Sequence, residues 1–233
     1  MARQGKAPVV LESADDLDAV RAIMPIDSAM EARFVAYVDL VRKWQPIKNL
    51  VAPSTLPDIW LRHVADGAQA FAALPTATRW LDLGSGAGFP GLVTAILLAD
   101  VEGASVTLVE SNGRKAAFLQ TVVRELKLPA KVLSERIESI PERLVDNRFE
   151  AVSARALASL DKLFSYAEPW LTAGATGVFH KGQDFASERQ QAALSWAFNL
   201  VEHQSRIEPD SRIVLVDHVR RLPTAGLPEQ DAR

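Results

Sequence analysis

The spacing of apolar residues changes near residue 78. Before that point they recur at helical intervals, with Met30, Phe34, Val38, Val41 and Trp44 on one stripe. Three helices are expected there. The first covers DDLDAVRAIM and stops at Pro25, with Ser13 and Asp16 as a capping box. Ser28 and Glu31 repeat that signature for the second, which Pro46 should end. The third should run from near Thr55 to Leu74, with Pro57 in its first turn.

From Trp80 onward, short apolar runs alternate with helical patterns. WLDLG, SVTLVES, KVLS, FEAVSAR and GATGVFHKG read as strands. FPGLVTAILLAD, RKAAFLQTVVRELKL, the stretch from Leu157 to Trp170 and DFASERQQAALSWAF read as helices. LVEHQSRI and RIVLVDHV close the pattern as two strands around a Glu-Pro-Asp-Ser turn. This alternation implies parallel βαβ units in an α/β fold. The short final turn makes the last two strands antiparallel neighbours. The expected layout is an N-terminal helical subdomain over 1–78, the α/β domain over 79–222 and a frayed tail over 223–233.

Composition narrows the chemistry. A chain of 233 residues suits one domain with a small appendage. It has no cysteine, which excludes disulfides, thiolate metal sites and a cysteine nucleophile. No metal-ligand cluster and no catalytic triad is evident, so no bound metal is expected. MARQGKAPVVLESADD lacks the apolar core of a secretory leader, and no run approaches the ~18 apolar residues of a membrane span. The formal net charge of −3 argues against a wholly basic surface, so contact with nucleic acid would need a local patch.

The strongest local signal is Asp82-Leu83-Gly84-Ser85-Gly86-Ala87-Gly88-Phe89-Pro90-Gly91, where the first strand turns into its helix. Ligands of open parallel sheets bind beyond the carboxyl ends of the strands, and this loop lies there. Gly86, Gly88 and Gly91 also satisfy G-x-G-x-x-G, a weak nicotinamide signature. Asp82 two residues before Gly84, and the long stretch of chain ahead of the loop, favour S-adenosylmethionine instead. A strand-to-helix turn without a ligand is the bland alternative. Glu110 ends the next strand, where a carboxylate can accept from both hydroxyls of an adenosine ribose. A solvated strand-end acid is the alternative there.

The blocks LDLGSGAGFPG, LVESNGRKAAFL, RELKL, SERIE, SARALASL and HKGQ, in this order, resemble the glucose-inhibited division protein B family, also called the ribosomal RNA small-subunit methyltransferase G family. KWQPIKNL and WLRHVADG resemble its N-terminal segments. The likeness runs from about Ala32 to Gln183 and is loose beyond. It implies a class I, Rossmann-like S-adenosylmethionine-dependent methyltransferase. That fold has a seven-stranded, mostly parallel sheet with its last strand antiparallel, preceded by a small helical subdomain. It also implies a cytoplasmic enzyme that methylates N7 of a guanine in a decoding-region loop of 16S rRNA. By motif position the resemblance puts cofactor contacts on Gly84, Phe89, Ile137, Glu138 and Arg155. The loop itself adds Gly86, Gly88 and Glu110.

Guanine N7 carries no proton, so its methylation needs positioning and no general base. Lys181 and His180 are candidate substrate contacts, Lys181 at a phosphate or at guanine O6. An exposed turn lysine is the alternative for Lys181, and a structural ion-pair partner the alternative for Arg155. Arg42, Lys43, Lys48, Arg62, Arg114, Lys115 and Lys181 are candidate RNA contacts that together could form the local patch. His63 beside Arg62 is read as an RNA contact or a satisfied helix histidine. Rival functions are methylation of a small molecule or protein, a nicotinamide oxidoreductase, and a nucleotide-binding scaffold without catalysis.

Overall fold

The computed structural model describes residues 16–140, 144 and 148–223. Ser13 and the expected tail from residue 224 on lie outside the described residues. Seven strands form one sheet: β1 (Arg79–Leu83), β2 (Ser105–Val109), β3 (Ala130–Leu133), β4 (Ala151–Ala154), β5 (Thr176–Lys181), β6 (Trp196–Gln204) and β7 (Arg212–Arg221). Their order is β3-β2-β1-β4-β5-β7-β6. The first five pair in parallel, and β7 runs antiparallel to both β5 and β6. The expected α/β sheet with an antiparallel last strand is what this chain forms.

Chain order reverses between β1 and β4. That reversal opens a crevice at the carboxyl edge of the sheet, flanked by the loops after β1 and β4. Alternate strand residues go to opposite faces. Trp80 and Val178 join the core of one face, and Leu81, Leu83 and Phe179 join the other.

The first face is covered by α1 (Leu17–Ile23), α2 (Ser28–Lys48), α3 (Asp66–Ala73), α4 (Gly91–Leu97) and α5 (Gly113–Glu125). The second is covered by α6 (Leu160–Thr172) and α7 (Phe185–Ala192). No helix among the described residues is long and apolar enough to cross a membrane.

Helix ends depart from the sequence reading in several places, beginning with Asp16, which is itself the N-cap of α1 and accepts from the Asp18 N–H at 2.8 Å. Asp27, one residue before Ser28, caps α2 by accepting from the Met30 N–H at 2.8 Å. Pro46 does not end α2. The helix continues to Lys48 and stops at Asn49, whose φ of 49° is left-handed. Buried Gln45 then holds the departing chain, accepting from Leu50 and Val51 N–H and donating to the Val51 carbonyl. The expected third helix is divided into a 3-10 turn at Pro53–Thr55, a π-helical segment at Trp60–Ala65, and α3. Finally, α7 stops at Ala192, and Trp196 already belongs to β6.

Candidate active site

The glycine loop is tied down by its neighbours. Ser85 N–H donates to the Val109 carbonyl at 2.9 Å, and Gly86 N–H donates to Glu110 Oε2 at 2.9 Å. Glu110 Oε1 accepts from Asn112 N–H at 2.7 Å, so one buried carboxylate joins the loop to the start of α5. Gly84 and Gly88 also stand at positive φ, of 66° and 98°. Two glycines show different needs. A Cβ on Gly91 would lie 2.5 Å from Asp82 Oδ2, so close packing of α4 on β1 requires that glycine. Gly86 has a φ of 58°, and a Cβ there would meet nothing nearer than 3.8 Å. Its bare backbone faces open space at the crevice. Protein packing therefore accounts for part of the glycine richness, and the open approach at Gly86 suits a ligand.

Asp82 is buried beneath the loop and accepts from the Ser153 hydroxyl at 2.7 Å. Burial raises its pKa to about 6 against the opposing effect of that hydrogen bond.

The N-terminal helices reach the same loop. Tyr37 on α2 donates to the Ala87 carbonyl at 2.7 Å, and its ring centroid lies 5.2 Å from that of Phe89. His63, on the π-helical segment, stacks on Phe89 at 5.0 Å. Arg155 follows β4. It lies 5.2 Å over the Phe89 ring, donates to Asp66 Oδ2 at 3.1 Å, and donates through Nη2 to His63 Nδ1 at 2.9 Å. A guanidinium only donates, so His63 Nδ1 accepts and its Nε2–H points to the Thr55 hydroxyl, 2.8 Å away. Burial, then the Arg155 charge, lowers the His63 pKa to about 4. His63 is thus a satisfied neutral histidine, and Arg155 is an ion-pair partner that also orders Phe89.

A second enclosure lies beside this cluster, beyond the carboxyl ends of β4 and β5. It is a cavity of about 490 Å³ whose lining includes Asp66, Leu157, His180, Glu188 and Glu208. Lys181 is the last residue of β5 and is buried, which overturns the exposed-turn alternative. Its ammonium pairs with Glu188 at 2.5 Å and donates to the Ala158 carbonyl at 2.9 Å. His180 Nε2 lies 3.0 Å from the Asp66 carbonyl and must donate to it. Its Nδ1 is then a buried acceptor without a partner among the described residues. Burial holds the His180 pKa below the usual histidine value.

The remaining predicted residues fall elsewhere. Ile137 and Glu138 form the 3-10 turn after β3, with Ile137 half-buried and Glu138 exposed. Trp44 on α2 meets Phe118 on α5 edge-on at 5.7 Å. Lys48 lies one turn beyond Trp44 on α2, and Lys115 and Arg114 lie about one turn before Phe118 on α5. Arg42 and Lys43 are exposed just upstream on α2. Arg62 stands apart from that group and pairs with Glu208 at 3.0 Å. Sequence reasoning missed Tyr37, Asp66, Glu188 and Glu208. For Asp66, the stretch RHVAD carried a usable signal, because an acid three residues after His63 shares its helix face. Among the described residues no group of acids and histidines is arranged to hold a metal ion.

Comparison with known proteins agrees with this geometry. A family model described as rRNA small subunit methyltransferase G matches residues 30–211. Proteins named ribosomal RNA small subunit methyltransferase G from Brucella canis and Brucella suis biovar 1 are each 48% identical over 205 residues, covering 88% of this chain and 95% of the relative. Among solved structures, the O-methyltransferase from Bacillus cereus in complex with SAH superposes with a TM-score of 0.55 at 13% identity, covering 87% of this chain and 96% of that one. TomG from Streptomyces achromogenes, in complex with SAM, gives 0.56 at 13% identity, over 87% of this chain and 95% of that one. At such identities the structures speak for the fold, which is that of the class I methyltransferases.

Proposed function

The chain belongs to the rRNA small subunit methyltransferase G family, and from that premise we propose that it transfers a methyl group from S-adenosylmethionine to N7 of a guanine in 16S rRNA. The observation that carries the reading is the family match over residues 30–211, which spans the glycine loop and most of the residues lining the cavity after β5.

The residues present fit the cofactor. Open backbone at Gly86, the strand-end carboxylate of Glu110 and the ordered ring of Phe89 lie along one edge of the crevice. Gly84, Gly86, Gly88 and Phe89 would border the cofactor, and Glu110 would accept from its ribose. Ile137 and Glu138 would meet the adenine, with Arg155 at the far side of the crevice. When bound, S-adenosylmethionine supplies an electrophilic methyl on a sulfonium.

The protein's contribution is placement. N7 presents a lone pair without a proton, so no side chain has to remove one. Neutral His63 and His180 are consistent with that. The purine gains positive charge as the bond forms, and a carboxylate or carbonyl fixed beside it favours that change. Arg42, Lys43 and Lys48 on α2 with Arg114 and Lys115 on α5 would supply the basic surface that RNA phosphates require on a chain of net charge −3. Reverse-transcription mapping of N7-methylguanosine in 16S rRNA tests the reading. The modification is expected in cells that make the protein and is lost on deletion. An unchanged modification map would overturn the proposal.

A further inference from the structure

We propose that the cavity beyond β4 and β5 receives the acceptor guanine unstacked from its RNA, and that Glu208 reads its N1–H and 2-amino edge. The inference rests on the RNA-methyltransferase reading and extends it to a residue that selects the base.

A base whose ring atom is to be alkylated has to leave its stack to reach a buried reagent. The cavity volume of about 490 Å³ lies within the ~300–1,000 Å³ range of small-ligand sites. It is bordered by the loop after β4, where Ala156 is held at a left-handed φ of 51°. Such a conformation costs on the order of 1 kcal/mol or more in a residue other than glycine, and it is kept where the surroundings enforce it.

The polar lining mixes acceptors with the cations Arg155, Lys181 and Arg212, and Arg212 Nε is buried without a hydrogen-bond partner among the described residues. His180 contributes the unpartnered Nδ1. Three carboxylates line the cavity, and their hydrogen bonds separate them. Asp66 is taken up by Arg155 on Oδ2 and by Gln69 on Oδ1 at 3.0 Å. Glu188 Oε2 holds both Lys181 and the Leu160 N–H at 2.8 Å. Glu208 differs. It meets Arg62 at 3.0 Å in a pair open to solvent, whereas Glu188 holds the buried Lys181 ammonium. Both side chains of that pair are about half exposed. A pair of this kind contributes about 0–1 kcal/mol, too little to keep Glu208 from a ligand. An RNA phosphate can take its place on Arg62.

The backbone under Glu208 is fixed in advance. Buried Ser205 accepts from the N–H groups of Ile207 and Glu208, both at 3.1 Å, and from Gln69 on α3 at 3.2 Å. Gln69 also accepts from Arg206 N–H at 2.7 Å. The β6–β7 turn is therefore pinned to α3, and the Glu208 carboxylate is presented to the cavity from a rigid support.

Guanine offers two adjacent donors, N1–H and the 2-amino group, which match the two oxygens of a carboxylate. Adenine offers an acceptor at N1 and no 2-amino group, so a carboxylate there rejects it. Methylation at N7 makes the purine cationic and its N1–H a stronger donor, so the hydrogen bond to Glu208 tightens as the reaction proceeds.

The test uses the full-length protein at saturating S-adenosylmethionine, with 16S rRNA carrying guanosine or inosine at the acceptor position. Inosine keeps N7 but lacks the 2-amino group. Single-turnover methylation by the wild type is expected to be about tenfold to a hundredfold slower on inosine. Glu208→Gln is expected to be slower on guanosine by a similar factor and to show little further loss on inosine. Its affinity for S-adenosylhomocysteine should be unchanged. Equal wild-type rates on the two RNAs, or undiminished discrimination by Glu208→Gln, overturn the role of Glu208. Absence of any wild-type methylation of guanosine RNA overturns the underlying reading together with it.

Discussion

The Glu110 contacts that hold the loop after β1 are local in the chain, whereas the Asp66 contacts beside the cavity join distant segments. Gly86 reaches Glu110 across 24 positions, and Asn112 reaches Glu110 across two. Arg155 reaches Asp66 across 89 positions, and His180 reaches the same residue across 114. The first set lies within one βαβ unit, where strand and helix already fix the geometry. The second joins the N-terminal helices to the sheet. Open backbone and a strand-end acid characterise the first set. Charges paired with one another characterise the second. One consequence is that damage on the cavity side should appear first as lost stability, and damage on the loop side as lost cofactor affinity.

The largest effect is expected at Asp66. Its side chain is 13% exposed and that of Arg155 is 18% exposed. Asp66→Ala leaves the guanidinium without its counter-charge and removes one of the two acceptors of Gln69. Breaking a pair this enclosed costs about 3 kcal/mol. Urea unfolding followed by tryptophan fluorescence should show a lower midpoint with an unchanged slope. A loss below about 0.5 kcal/mol would mean that the cluster does not bind the N-terminal helices to the sheet.

Glu110 is the sharper probe of the loop side. Glu110→Ala removes hydrogen bonds to a charged acceptor worth roughly 1.5–3 kcal/mol. S-adenosylhomocysteine affinity should fall about tenfold to a hundredfold in calorimetry. The structure adds a second effect, because Gly86 and Asn112 N–H also lose their acceptor, and the ligand-free protein should be less stable. Unchanged affinity with reduced stability would make Glu110 a purely structural residue.

Two glycines cut across that division in packing terms. Gly91→Ala brings a Cβ to 2.4 Å from Leu108 Cδ2 and 2.5 Å from Asp82 Oδ2, and overpacking of this kind costs about 1–3 kcal/mol. Gly182→Ala, at the cavity, meets nothing within 4 Å and should leave the melting temperature unchanged. Equal destabilisation by both would remove the distinction.

The same contrast explains what the sequence reveals. The α/β alternation, the antiparallel final strand, the glycine loop and Glu110 are all visible as local patterns, because each depends on residues within one supersecondary unit. Asp27 and Ser28 are adjacent and both able to cap a helix, so the choice between them follows from the entering backbone. The Trp196-Ala197-Phe198 stretch fits either a helix end or a strand start, and pairing with Arg221 and Arg220 on β7 decides it. Glu188 and Glu208 look like ordinary surface acids. Their partners Lys181 and Arg62 are brought to them by sheet order, which no short window of sequence displays. Lys181 and Arg62 were legible as cations but not as cations already paired.

The smallest expected effect is that of pH on the chemical step. Apart from Asp82, the site groups whose titration is displaced move away from the interval between about 7 and 9. Burial takes His63 down to about 4 and lowers His180, and it raises the Tyr37 hydroxyl well above its ordinary value. Asp82, raised to about 6, is largely ionised by pH 7. Its raised pKa favours the folded state at low pH, a contribution that is lost as pH climbs through about 6, so stability and rate have separate pH windows. With saturating RNA and cofactor, the single-turnover rate should therefore be flat between about pH 7 and 9, as expected when N7 has no proton to give up. A misplaced base can cost on the order of a hundredfold in rate, so a slow variant does not by itself identify a base catalyst. The shape of the profile does. A limb rising through this interval that disappears in His180→Gln would show that a titrating side chain takes part. The acceptor would then be a protonated nitrogen, and N7 would no longer be the methylated atom. A profile that is flat in the wild type and in His180→Gln, with His180→Gln slower only through weaker placement of the base, keeps the cavity as a positioning device and leaves its selectivity to Glu208.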